Sequence, residues 1–333
     1  MGLGAIVVVE NNHDVSEDTR PSSFPLGSAA AGALLPFVEI FGTSLLEHTI
    51  AQLANADVEI ITLLVHTDAF PQIPTLRTSF PNISIQTANE VWAAVAMTLK
   101  EYAENGIQYA FIARPNAYTE ADLMDLLDFN RQRHRVMSRA SDHEGPLDVW
   151  VVSCGAAWQA SVAALGGVGD IAPANTAEYF AKEYTRRLNH LGDLRQLVTD
   201  AFLARCRIRP AGQQIRPGVW AEEGVGIGRG ARIVAPAYLG RGCEIRENTL
   251  VTRFSNIESF SYIDYGTAIE DTTVLPNTYV GIWLDVRHAV VNGNKLMSVK
   301  RNVMIEISDP SLIRSNVPNR HDLRGKSSVM SLA

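Results

Sequence analysis

Cysteine is scarce in this chain, and its pattern excludes two kinds of chemistry. Cys154, Cys206 and Cys243 are the only three in 333 residues, odd in number and far apart, with no C-x-x-C pair. That spacing argues against a disulfide framework and against a zinc site, and it favours a reducing cytoplasm. Long apolar runs are missing too. No stretch approaches the ~20 apolar residues that a membrane span needs. The opening MGLGAIVVVE has neither a basic n-region nor an apolar run long enough for a signal peptide. Blocks of like charge are also absent. The net charge is −7, with basic and acidic residues interspersed, so nothing suggests a nucleic-acid or anionic-membrane partner. The chain reads as soluble and intracellular. At 46% hydrophobic residues it has enough apolar content for two domains, each with a core.

What the chain does have is a period of six. Ile215, Ile227, Ile233, Leu239, Ile245, Val251, Ile257, Ile263, Ile269 and Leu275 share one phase, interrupted by Ala221 alone. Three positions after these come Gly218, Gly224, Gly230, Gly242, Asn248 and Gly266, residues that tolerate a left-handed backbone and suit a tight corner. One position further the side chain is mostly small, as at Ala231, Ala237, Cys243, Thr249, Ser255 and Ser261. Six fits neither a helix nor a strand. It is the repeat of a parallel β-helix, whose short strands stack on their equivalents one coil away. An ordinary β-sandwich with regular turns is the bland alternative. Phe254 and Phe260 stand at corner positions of successive repeats. Projecting outward, they would add apolar surface, and with the flat strand faces they predict a homo-oligomer.

Ahead of the repeats the pattern changes. Residues 5–9 (AIVVV) read as a strand buried on both faces. Ser44 and Glu47 form a capping box, opening a helix with Leu45, Leu46, Ile50 and Leu53 on one side. Further strands are expected at 58–65, 83–85, 109–113 and 147–152, and a helix capped by Asn89 carries Val91, Val95, Leu99 and Tyr102. Another helix opens over 119–122. Two more are expected over 176–191 and 193–204. Strands alternating with helices predict βαβ units and a mostly parallel sheet. The expected division is an α/β domain over 1–207, the repeats over 208–308 and a mobile tail over 309–333.

An α/β domain followed by hexapeptide repeats resembles the sugar-phosphate nucleotidylyltransferases, such as mannose-1-phosphate guanylyltransferases and ADP-glucose pyrophosphorylases. The likeness is closest in Pro36-Phe-Val-Glu-Ile-Phe-Gly-Thr-Ser-Leu-Leu-Glu-His48, and in the repeats at Ala235-Pro-Ala-Tyr-Leu-Gly240 and Ser255-Asn-Ile-Glu-Ser-Phe-Ser-Tyr-Ile263. It implies a Rossmann-like nucleotidyltransferase-type domain and a left-handed β-helix of three hexapeptides per coil. The implied reaction joins a sugar 1-phosphate to a nucleoside triphosphate and releases pyrophosphate. That chemistry needs a Gly-rich loop to cradle the triphosphate, and here the loop reads Glu10-Asn-Asn-His13. Asn11, Asn12, Thr19 and Arg20 are the nucleotide-binding candidates. Arg20 is also the catalytic candidate, placed to neutralise charge developing on the α-phosphate.

Three further departures stand out against the family's pattern. Leu35 occupies the place of a phosphate-binding lysine, and Asn116 that of the aspartate that holds Mg²⁺. An amide oxygen carries no net charge and makes a poor sole ligand for Mg²⁺, while Asp122 lies further on, in a helix. Thr87-Ala-Asn-Glu-Val-Trp92 replaces the Gly-rich turn expected to approach base or sugar. No metal ligand is therefore assigned, and Mg²⁺ enters only if the chain is active. The leading expectation is a nucleotide-sugar protein with lost or weak catalysis that binds a nucleotide or sugar phosphate, regulates or assembles. An active, divergent nucleotidyltransferase and a hexapeptide acyltransferase with His288 as base are the alternatives.

Overall fold

The computed structural model describes residues 2–10, 35–70, 76, 80–155, 176–301 and 303–316. These form two compact units. The first takes described residues up to 38 and from 43 to 193, and the second takes Glu39–Gly42 with the described residues from Leu194 onward.

The first unit is mixed α/β with a mainly parallel sheet. Its seven strands are β1 (Gly2–Val9), β2 (Ile60–His66), β3 (Ile83–Ala88), β4 (Ile107–Ala113), β5 (Met137–Asp142), β6 (Gly145–Ser153) and β7 (Thr176–Phe180). Their order is β7-β5-β6-β4-β1-β2-β3, with β6 antiparallel to both neighbours and every other pair parallel. Side chains alternate across a strand, so β1 feeds two cores. Leu3, Ala5, Val7 and Val9 pack with helix α1 (Leu45–Ala54) and helix α3 (Leu123–Gln132). Ile6 and Val8 pack with helix α2 (Val91–Glu104). That double covering is why β1 has no polar residue.

The Ser44–Glu47 capping box of α1 is present as expected. Asp122 turns out to cap α3 from outside, accepting from the Met124 and Asp125 amides at 2.9 and 3.1 Å. Asn89 does not cap α2. Glu90 holds that position without a side-chain bond, and Asn89 accepts from the Thr67 hydroxyl at 2.6 Å instead. The helix expected over 176–191 is also replaced. Thr176–Phe180 is β7, paired in parallel with β5, and Thr185–Arg187 pairs antiparallel with Ala117–Thr119. The exposed sheet edge offers backbone partners that a helical reading of this short segment ignores.

In the second unit successive short strands join three parallel ladders in rotation. The first holds Val219–Ala221, Ala237–Leu239, Ser255–Ile257, Thr273–Val274 and Ala289–Asn292. The second begins Gly226–Ile227, Glu244–Ile245, Tyr262–Ile263 and Thr278–Val280. The third holds Arg232–Ile233, Leu250–Thr252, Ala268–Glu270 and Asp285–Arg287. Pairing starts at an offset of eighteen, as in Val219 with Ala237, and falls to seventeen from Asn256 with Thr273 onward. Leu239, Ile245, Val251, Ile257, Ile263 and Ile269 form one buried core, as the period predicts.

The period misassigns four positions. Ile215 lies on Gln213–Arg216, antiparallel to the first ladder, and is 43% exposed. Ile227 is 40% exposed because its strand is the first of its ladder and has a strand on one side only. Ala221, the apparent interruption, fills the inward slot in line with Leu239 and Ile257. After Ile269 the corner is one residue shorter, so Val274 rather than Leu275 lies beside Ile257. The series then continues through Val280, Val286 and Val291. The segment from Asp309 is not a loose tail as far as it is described. Ile313–Ser315 pairs antiparallel with Thr278–Val280, and Ile313 is buried; residues 317–333 lie outside the described residues.

Corner residues adopt positive φ, including Gly242, Asn248, Phe254, Phe260, Gly266, Trp283 and His288. At Gly266 the lack of a side chain has a second reason. A Cβ there would lie 2.8 Å from the Trp283 ring of the next coil, so only glycine satisfies both backbone and neighbour.

The outer face of the first ladder is covered. Tyr238, Asn256, Thr273 and Val290 alternate with the inward residues yet have no exposed surface. Helix α4 (Leu191–Phe202) supplies the cover. From it Arg195 reaches the Asn256 and Thr273 side-chain oxygens at 2.9 and 2.7 Å. Its other nitrogen donates to the Phe254 carbonyl and Asp271, both at 2.8 Å. The Phe202 ring packs against Phe41, Trp220 and Phe254. Phe254 is therefore held within its own unit and is not available with Phe260 for a subunit interface, while Phe260 remains 47% exposed.

Candidate functional site

Strands β1 and β4 are adjacent and parallel, with Val7 opposite Ala113. Their carboxyl ends therefore lie side by side, the usual place for a ligand in an open α/β sheet. The first residue past each strand is charged. Arg114 after β4 pairs with Glu10 after β1 at 2.8 Å, each side chain 19% exposed. The chain then turns, and the Asn116 amide nitrogen donates to Asp148 Oδ2 at 2.9 Å. The other oxygen of Asp148 takes Arg139 at 2.9 Å, whose guanidinium also lies over the Trp150 ring. Arg139 further donates from Nε to the Leu147 carbonyl at 2.7 Å. Two arginines and two carboxylates thus balance at this edge, and Asn116 joins the two halves through Asp148.

Beside this cluster is a cavity of ≈ 20 Å³ lined by His48, Thr49, Gln52, Arg114 and Tyr118 among others. That is room for about one water, too little for a nucleotide or a sugar. Asn11, Asn12, Thr19 and Arg20 lie outside the described residues. Leu35 is buried in a short 3-10 turn, Leu35–Phe37, and presents no polar group. Asn116 is at the strand end as expected, but its amide is turned to Asp148. Asp122 is committed to capping α3. These groups do not suit Mg²⁺, and among the described residues no three His, Cys, Asp or Glu side chains are arranged to hold a metal. Sequence reading passed over Glu10, Arg114, Arg139 and Asp148. The first two were findable as the residues immediately after buried parallel strands. Asp148 and Arg139 were not, because they arrive through the antiparallel β5–β6 pairing.

His288 occupies a coil corner in the second unit with φ 50. Its Nδ1 is 2.6 Å from Asp271 Oδ2, and its Nε2 is 3.0 Å from Lys300 Nζ. An ammonium only donates, so Nε2 accepts and Nδ1 carries the proton toward Asp271. Burial pushes the Asp271 carboxyl up, but hydrogen bonds from His288 and Arg195 outweigh it and hold it below the usual carboxylate range. The outer nitrogen needed for a general base is thus already engaged by Lys300.

Among the described residues no helix is long and apolar enough to cross a membrane. In comparisons with known proteins, no family model matches the chain and no curated protein is significantly similar to it.

Proposed function

We propose that this chain is a sugar-phosphate nucleotidyltransferase-like protein of nucleotide-sugar metabolism whose catalysis is lost or weak. On this reading the first unit is a Rossmann-like nucleotidyltransferase-type domain and the repeats are a left-handed parallel β-helix. Its role is to bind a nucleotide or sugar phosphate, or to serve in regulation or assembly. One observation carries the proposal. At the end of β4, where the resemblance requires a metal-holding carboxylate, Asn116 spends its amide on Asp148. Nucleotidyl transfer depends on charge stabilisation at the phosphate, and a neutral amide supplies none. The buried thiols of Cys154, Cys206 and Cys243 support a reducing cytoplasm. For acyl transfer at His288 the contact with Lys300 is unfavourable.

The test is pyrophosphate release from a panel of nucleoside triphosphates and sugar 1-phosphates. The expected result is no Mg²⁺-dependent release above background, in the wild type and in Asn116→Asp alike, because catalytic groups act as a set. Thermal shifts with nucleotides or NDP-sugars should depend little on Mg²⁺ and should be lost in Arg20→Ala. Wild-type turnover at ~1 s⁻¹ or faster, within the ordinary enzyme range, would establish the active alternative instead.

The reading also includes self-association. Phe260, Ile282 and Trp283 are 47%, 54% and 69% exposed, an apolar exposure that favours pairing with a second copy. Phe260→Glu should shift the protein toward monomer in light scattering at micromolar concentration. A wild type already monomeric there would refute the oligomer.

A further inference from the structure

The first ladder does not stop at its last parallel strand. Gly293, at φ 56, opens a two-residue turn after Ala289–Asn292, and Lys295–Ser298 returns antiparallel. Val303–Glu306 then pairs antiparallel with Lys295–Ser298 and is the last strand of that eight-stranded sheet. Among the described residues nothing pairs with its other side. Side chains alternate across an extended strand, so Val303, Ile305 and Ile307 share one face. Ile305 ends a row that runs from the buried Val291 through Leu296. Yet Val303 and Ile305 are 44% and 48% exposed, and Ile307 is only partly buried. Proteins usually blunt such an apolar edge with Lys, Pro or an inward charge. Here the strand's one charge, Glu306, lies on the opposite face and accepts from the Asn294 side chain at 3.1 Å.

The backbone shows which groups the edge presents. The Ile307 amide donates to the Asn294 carbonyl at 2.8 Å, in step with the pairing of Glu306 and Lys295. Successive residues of an antiparallel strand bond to opposite sides. Val303 and Ile305 therefore bond inward with Ile307, and the amides and carbonyls of Met304 and Glu306 face the open edge.

We propose that this edge recognises itself, pairing antiparallel with Val303–Glu306 of a second copy about a two-fold axis at Ile305. Such an axis stands perpendicular to the sheet and keeps each side chain on its own face, so opposed residues lie an even number of positions apart. Centred on Ile305, the register makes Met304 and Glu306 of the second copy a hydrogen-bonded pair, and the reverse. Val303 then opposes Ile307 and Ile305 opposes itself, which closes the apolar face. At each end Arg301 meets Asp309, both exposed and neither in an ion pair among the described residues. A centre at Glu306 would set like carboxylates face to face, which is unfavourable. A centre at Met304 would set Arg301 against Ile307. The Ile305 centre alone satisfies burial and charge together.

A four-residue pairing is small, so the association is weak and is best caught covalently. At the axis the two Ile305 form a non-hydrogen-bonded pair, whose Cα atoms lie ~4.5 Å apart, close enough for a disulfide. The two Met304 are out of step, past the ~7 Å that a disulfide spans. The native Cys154, Cys206 and Cys243 are buried, and wild type sets the background. Under mild oxidation of the full chain at micromolar concentration, Ile305→Cys should form a covalent dimer with a yield on the order of 10-fold above Met304→Cys. Met304→Pro, which removes an outward donor and leaves the inward pairing intact, should abolish that crosslink in the Ile305→Cys background. There too, Arg301→Glu should weaken it, and adding Asp309→Arg should restore it. Phe260→Glu should leave it in place, so this contact and the aromatic one proposed above are read separately. An Ile305→Cys chain that stays monomeric would overturn the pairing, as it would if residues 317–333 occupied the edge. So would equal yields at Ile305→Cys and Met304→Cys, a crosslink indifferent to Met304→Pro, or one that vanishes with Phe260→Glu.

Discussion

Ile245→Asp is expected to unfold the repeat unit. Ile245 is 1% exposed, between Ile227 and Ile263 in the second ladder and among the core residues of all three ladders. The substitution removes the buried aliphatic and places an unpaired carboxylate among apolar neighbours. Losses of about 4–5 kcal/mol or more follow from such a change. Ile227→Asp, one coil earlier in the same column, is the internal control. With 40% of Ile227 exposed, water can still solvate the charge, and the cost should stay within about 1 kcal/mol. Urea unfolding followed by circular dichroism measures both. Equal effects at the two positions would mean that the stacking order is wrong, and a harmless Ile245→Asp would remove the inward column altogether.

The second large effect is expected at Arg195. Its guanidinium is nearly buried and makes four hydrogen bonds, to Asn256, Thr273, Phe254 and Asp271. Burial disfavours its charge, and Asp271 offsets only part of that, leaving its guanidinium below its ordinary range. Arg195→Ala strips the covered face of the donor that satisfies its buried polar groups and should cost about 3–5 kcal/mol. Arg195→Lys should recover only part of this, because one ammonium cannot reproduce the planar fork that reaches three side chains and a carbonyl at once. Arg195→Met should fall between Ala and wild type, since it keeps the packing of the stem. A double-mutant cycle with Asp271→Asn isolates the ion pair. Wild-type stability in Arg195→Ala would show that α4 covers the ladder without this anchor.

Much of this architecture is legible in the residues. The six-residue spacing from Ile233 to Ile269 locates the inward column of the repeats because each aliphatic has one place to go when strands stack in register. The run Ala5–Val9 marks a doubly covered strand, and Ser44 with Glu47 marks the start of α1, because both are local statements about burial and capping. At the strand-end site, Asn116 was legible as a neutral residue just past a buried strand. What was not legible was its commitment to Asp148, since that bond spans two elements whose meeting depends on the sheet order.

Where the local rules failed, the deciding contact was distant in sequence. Thr176–Phe180 became a strand because β5 offered an edge. Val274 displaced Leu275 because the stack keeps its register with the coil before it, whatever the spacing along the chain. Phe254, a surface aromatic by spacing, is covered by Phe202. Glu258 is sealed by two amides from a turn 216 and 217 residues away, a contact that no local pattern announces. The sequence by itself thus determined the repeat and the α/β alternation, both of which follow from periodic burial. Only the tertiary structure decided which outward face is covered and which polar groups that covering must satisfy, because those depend on which segments fold back onto the stack.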